Sequence, residues 1–120
     1  MKGSSRRPEQ VAETVRQVIG EALRRGDVRD PRVGLVTITG VRVTNDLSHA
    51  KVLVSVGGEE AVRQRALEGL RSAAGFLRSR AARVLTTRTV PELHFELDSG
   101  LAHAARIEEL LQEIRREERD

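Results

Sequence analysis

Residues 60–85 read EAVRQRALEGLRSAAGFLRSRAARVL, and the fold turns on whether this stretch is one helix or two. Glu59 and Glu60 stand where acidic side chains favour a helix N-terminus. Val62, Ala66, Leu70 and Ala73 recur at helical spacing, and Leu77, Ala81, Val84 and Leu85 continue the same face. An unbroken helix of that length does not suit a domain this small. Gly75, near the middle, costs a helix about 1 kcal/mol relative to Ala. It also permits backbone angles, or a close approach, that a Cβ would obstruct. The stretch therefore predicts two helices joined by a tight kink at Ala73-Ala74-Gly75.

Upstream, Val11, Val15, Val18, Ile19, Ala22 and Leu23 mark one face of a first helix. Pro8 suits its first turn and Gly26 is placed to end it, before Asp30-Pro31 breaks the chain. Residues 1–7 read as a short, flexible basic arm. Leu35 to Thr44 is rich in Val, Thr and Ile, as strands are. Val36 and Ile38 share a face, but after Gly40 the apolar phase slips to Val41 and Val43, which predicts a β-bulge. Asn45-Asp46-Leu47-Ser48 is turn chemistry. Val52, Val54 and Val56 then alternate with Lys51, Leu53 and Ser55 in a second, antiparallel strand that Gly57-Gly58 ends.

Downstream of the two helices, a third strand begins near Val90-Pro91. Leu93, Phe95 and Leu97 face in, and His94 and Glu96 face out. A last helix opens near Ser99, with Leu101, Ile107, Leu110, Leu111 and Ile114 on one face. Residues 8–112 form the domain, and the charged end, 113–120, is expected to fray. The class is α+β: a three-stranded mixed sheet with helices on one face, because a hairpin followed by helices and another strand requires a crossover. The αββααβ core order is that of a type II KH domain, with an additional C-terminal helix.

Composition narrows the chemistry. The 120 residues contain no Cys, which excludes disulfides, thiolate catalysis and cysteine-ligated metals. With two Phe and neither Trp nor Tyr, modules that stack several bases on exposed rings are excluded too. No apolar run is long enough to cross a bilayer and no secretory signal is visible, so a cytoplasmic protein with no membrane partner is expected. His49, His94 and His103 are the only histidines. No Walker loop or nucleophile elbow appears, which points to a non-enzyme without cofactors or metal. His94, Asp98 and His103 have a spacing that chance supplies easily, and His49 suits a solvated or RNA-contacting role.

The charge is unevenly placed. Residues 61–90 hold seven Arg against one acid, Glu68, whereas residues 91–120 hold four Arg against nine acids. One Arg on a helix surface is ordinarily a solvated side chain. A cluster with so little acid nearby suits phosphate, which guanidinium groups bind bidentately. Arg71, Arg78, Arg80 and Arg83 around the kink are the first candidates for RNA contact, with Ala73, Ala74 and Gly75 between them. Arg42 and Lys51 on the hairpin are weaker additions. Phe76 and Phe95 are read as core.

The usual KH clamp is a Gly-x-x-Gly loop, and this chain has none. An Ala-x-Gly kink stands in its place, here Ala73-Ala74-Gly75. With Asp30-Pro31-Arg32, the run Thr44 to Val52, Val90-Pro91-Glu92-Leu93 and the run Leu97 to Ile107, in this order, the chain resembles the ribosome-binding factor A family from about Pro8 to Leu111. That resemblance implies a bacterial assembly factor that binds the free 30S subunit and its precursor. It would promote late maturation of 16S rRNA, including 5′-end processing, and support growth in the cold. It would act as a monomer and be released by a ribosome-associated GTPase. A different class stays open: a protein–protein adaptor docking through its acidic last helix, with the Arg groups serving solubility. Arg groups gathered on one face favour RNA; Arg groups scattered and paired with acids favour the adaptor.

Overall fold

The computed structural model describes residues 7–98, 108 and 110–117. Helix α1 runs Pro8–Arg24, with Pro8 in its first turn and Val11, Val15, Ile19 and Ala22 fully buried along one stripe. It ends as the glycine predicts. Gly26 has a φ of 74°, the Asp27 amide donates to the Ala22 carbonyl, and the Gly26 amide donates to Leu23. This is the Schellman arrangement, in which a left-handed residue just past the helix lets the last carbonyls be satisfied.

Strands β1 (Val36–Val43) and β2 (His49–Val56) pair antiparallel, and β3 (Glu92–Leu97) pairs parallel to β2, giving a mixed sheet in the order β1-β2-β3. The bulge falls where the slipped phase puts it. Ile38 opposes Val54 and Gly40 opposes Leu53, which leaves Thr39 as the extra residue. Ala50, Val52, Val54 and Val56 of β2 and Leu93 and Phe95 of β3 are buried on the helix side. Alternate residues, among them Lys51, Ser55, His94 and Glu96, stay exposed. In the 45–48 turn Asp46 Oδ1 accepts from the Ser48 amide, the Ser48 hydroxyl and the Thr44 hydroxyl. Led by the Ser48 hydroxyl, those bonds hold the Asp46 carboxyl down at about 2.

The stretch 60–85 is two helices, α2 (Glu60–Ser72) and α3 (Ala74–Ala82). The break is at Ala73, whose amide donates to both Gly69 and Leu70 while its ψ of 0° swings the chain out of α2. The residue between the two helices is Ala73, not Gly75. Gly75 lies inside the first turn of α3, and a Cβ there would meet nothing within 4 Å. Nine residues are too few for a helix to persist alone, so α3 depends on Leu77 and Ala81, both fully buried.

Three other expectations change. Val62 and Val84 are half exposed: the buried stripe starts only at Ala66, and after α3 the Val84 amide turns back to Ala81, rotating Val84 outward and Leu85 inward. Phe76 is also exposed, lying under the Arg80 guanidinium at 4.9 Å. Residues 110–117 are helical, but Leu110, Leu111 and Ile114 are exposed, so they add nothing to the core. The helix opening at Ser99, its Leu101 and Ile107, and residues 1–6 of the expected arm lie outside the described residues.

The glycine with the tightest surroundings is Gly69. A Cβ at this position would fall 2.7 Å from Val33 Cγ2 and 3.3 Å from both Arg32 Cβ and Asp30 Cγ. The Asp30–Val33 turn therefore sits directly on α2. Asp30 fixes the turn by accepting the Arg32 amide at 2.9 Å and its guanidinium at 3.0 and 2.7 Å, and Arg32 reaches on to the Ser72 hydroxyl. The Arg32 side chain, more than its amide, holds the Asp30 carboxyl down at about 2. The two glycines should respond to alanine with opposite signs. Gly75→Ala should raise the melting temperature, by up to about 1 kcal/mol of helix propensity. Gly69→Ala should lower it, because overpacking costs about 1–3 kcal/mol and exceeds that gain. Thermal denaturation of both variants checks the pair, and a stabilised Gly69→Ala would refute the close contact.

Candidate nucleic-acid interface

The kink distributes the arginines. Along α3, Arg78 and Arg80 are two residues apart and hence about 200° around the helix, on opposite flanks of the Leu77–Ala81 stripe. Arg78 faces the approach to β3, where its Nε and Nη2 donate to the Val90 carbonyl at 3.2 and 2.9 Å. Arg71, in the last turn of α2, points the same way, and its Nη2 donates to the Phe95 carbonyl at 3.2 Å. That carbonyl lies on the free edge of β3: Glu92 and Asp98 give their amides to Ser48, just before β2, and to Val54 within it, so alternate positions such as Phe95 face outward. Each guanidinium has five N–H donors, so both keep donors for a phosphate.

Arg80 turns to the other flank. Its Nη1 lies 2.9 Å from Asp27 Oδ2, tying α3 to the Schellman turn of α1, and it covers Phe76. Hydrogen bonding from Arg80 holds the Asp27 carboxyl below the usual carboxylate range. Arg83 is exposed, with no hydrogen bond or ion pair from its side chain among the described residues. Ala73 and Ala74 are half-buried at the bend and Gly75 is exposed beside them. Ser72, Gly75, Ser79 and Ala82 leave a surface with no long side chain, between Arg71 and Arg78 on one side and Arg83 on the other.

Arg42 and Lys51 are neighbours across the β1–β2 ladder but stand on the open face of the sheet, away from the helices. There Lys51 Nζ lies 3.7 Å from Glu96 Oε1. The structure thus puts Arg71 and Arg78 beside the kink and Arg83 at the far end of α3, puts Arg80 across the helix from Arg78, and puts Arg42 and Lys51 on the opposite face. Of the seven Arg in residues 61–90, Arg63 pairs with Glu60 and Arg80 with Asp27. Arg65, Arg71, Arg78, Arg83 and Arg88 have no carboxylate partner among the described residues. Arg65 and Arg88 were absent from the sequence candidates; only the regional charge count pointed to them.

The family model described as ribosome-binding factor A matches residues 7–111. The chain belongs to the ribosome-binding factor A family. A relative from Desulforamulus reducens with that name is 48% identical over 114 residues, covering 95% of this chain and 94% of its own. The crystal structure of ribosome-binding factor A from Thermus thermophilus is similar, with a TM-score of 0.64 and 28% identity over 75% of this chain and 94% of that one. So are coordinates of the Thermus thermophilus protein fitted into a cryo-electron-microscopy map of its complex with the 30S subunit. They give a TM-score of 0.55 and 30% identity over 69% of this chain and 86% of that one.

The Arg80–Asp27 pair ties the last turn of α3 to the turn that ends α1. Arg80→Ala and Asp27→Ala should each lower the melting temperature by a few degrees. Because the two groups act on each other, the double variant should lose little more than either single one. Arg83→Ala should leave melting unchanged. Additive losses in the double variant would show that the pair is not a brace.

Proposed function

We propose that this protein is a ribosome assembly factor that binds the free 30S subunit through the surface around its helix kink. The observation that carries this reading is the group of arginines without carboxylate partners beside a surface of small residues. A phosphate backbone needs close approach and guanidinium donors, and both are present at Ala73, Ala74 and Gly75 with Arg71 and Arg78 beside them and Arg83 further along α3. Specificity would come from the shape of the immature subunit, since the one exposed ring among the described residues there, Phe76, is already covered by the Arg80 guanidinium. Arg42 and Lys51 would add a second, peripheral contact. The complex recorded for the Thermus thermophilus relative supports the choice of the small subunit.

Within that reading the protein promotes late maturation of 16S rRNA, including processing near the 5′ end, and supports growth in the cold. It works in the cytoplasm as a monomer without catalysis, and a ribosome-associated GTPase releases it from the finished subunit. A competing reading has one observation in its favour. Leu110, Leu111 and Ile114 are exposed on the helix at 110–117, which would suit an adaptor that docks a partner protein there.

Co-sedimentation with free small subunits over a salt series separates the two. RNA binding through Arg releases counterions, so log affinity should fall linearly with log salt, by about 0.7–0.9 per phosphate contact. Arg71→Ala/Arg78→Ala should weaken binding and reduce the slope by about two contacts. Arg83→Ala, which breaks no internal bond among the described residues, should reduce it by about one without altering melting. Undiminished binding of all these variants at every salt concentration would remove the kink surface from the interface and favour the adaptor.

A further inference from the structure

On the open face of the sheet, far from the kink in sequence, three side chains converge where β2 and β3 begin. His49 and Glu92 are partners in the parallel ladder, and His94 is two residues further along β3, so all three project from the same face. His49 Nδ1 and His94 Nε2 are 3.0 Å apart, although the residues are 45 positions apart in sequence. Glu92 Oε1 lies 3.7 Å from that nitrogen of His49 and 4.0 Å from that of His94. We propose that His49, Glu92 and His94 form a binding site for a divalent transition-metal ion, with Zn2+ as the best fit.

The distances make the case. A circle through three atoms spaced 3.0, 3.7 and 4.0 Å has a radius of about 2.1 Å. Zinc bonds to imidazole nitrogen and carboxylate oxygen are about 2.0–2.2 Å. An ion at the centre of these three atoms is therefore within bonding distance of all of them without any backbone movement. The plain alternative, a hydrogen bond between the two rings, accounts for the 3.0 Å contact only. It leaves unexplained why Glu92 Oε1 converges on the same two nitrogens while remaining beyond hydrogen-bond distance of both.

The donor set and its surroundings suit zinc. Two imidazoles and one carboxylate are borderline ligands, which favour Zn2+ and its transition-metal neighbours over Mg2+ or Ca2+. The side chains are each about half exposed, at 53%, 59% and 46% for His49, Glu92 and His94. A fourth coordination position can thus open to solvent and take water or an anionic oxygen. Asp46, in the turn before β2, is three residues from His49. Two cations, Arg42 and Lys51, stand on this face, and Lys51 is opposed by Glu96 at 3.7 Å. Bound there, the ion would join the first residues of β2 and β3, the parallel pair that the long crossover brings together.

The test uses the full chain and metal alone. Calorimetric titration with Zn2+ should give one ion per chain, and Co2+ in its place should give the visible absorption of a low-coordinate cobalt site. Zinc at a hundredfold excess over its dissociation constant should raise the melting temperature by several degrees. His49→Asn, His94→Asn and Glu92→Gln should each weaken binding by about tenfold or more. Circular dichroism confirms that each variant is folded, which their exposed positions favour. His103→Asn should bind as wild type does. Absence of stoichiometric binding, or binding that survives His49→Asn and His94→Asn while failing in His103→Asn, would overturn the assignment.

Discussion

The parallel pairing of β3 with β2 obliges the chain, on leaving Val56, to travel back along the sheet before it can enter Glu92. Parallel neighbours cannot be joined by a tight turn. The connection here is helical, and length decides its form. One helix over residues 60–85 would extend about 39 Å at 1.5 Å per residue. A six-residue strand spans only about 20 Å. Breaking the helix after thirteen residues makes α2 about as long as the strand it covers, and α3 can then fold back between β3 and α1. The kink answers a geometric demand of the sheet. Its surface chemistry is a consequence.

That consequence reaches the arginines. Because α3 lies between β3 and α1, its two flanks meet different neighbours. Arg78 finds the Val90 carbonyl at the entrance to β3, whereas Arg80 finds Asp27 at the end of α1. Two residues of the same type, two positions apart, thus do different work: one stays at the rim of the kink, and the other ties α3 to the end of α1. The solvent side of α3 is left to small residues and Arg83. On the far side of the sheet Arg42 and Lys51 lie among exposed acids and histidines, where the charge pattern is mixed.

Much of this was legible in the sequence wherever the signal was local. The α1 stripe, its stop at Gly26, the bulge beside Gly40 and the alternation of Val52, Val54 and Val56 each rest on neighbours a few residues away, and each is found. The order of the elements followed from the same local signals. What the sequence hid depends on chain segments meeting. The need for glycine at position 69 comes from Val33, and the engagement of Arg80 comes from Asp27. Gly75 drew attention as the only glycine at the bend, yet Ala73 makes the turn. The apolar residues at 62, 84, 110, 111 and 114 fit a helical face, but helical spacing does not reveal where the partner surface ends. The same limit concealed the meeting of His49 with His94, which only the register of the parallel pair brings about.

The central claim is that the kink side of the protein, more than the open face of the sheet, lies against the RNA of the small subunit. Since the chain has no cysteine, a single introduced one can carry a hydroxyl-radical probe to a chosen position. Ser79→Cys places the probe on the exposed side of α3 beside the kink, and Ser55→Cys places it on the open sheet face. With each labelled protein bound to free small subunits, the account predicts strong localised cleavage of 16S rRNA from position 79 and weak cleavage from position 55. Strong cleavage from position 55 with none from position 79 would contradict it.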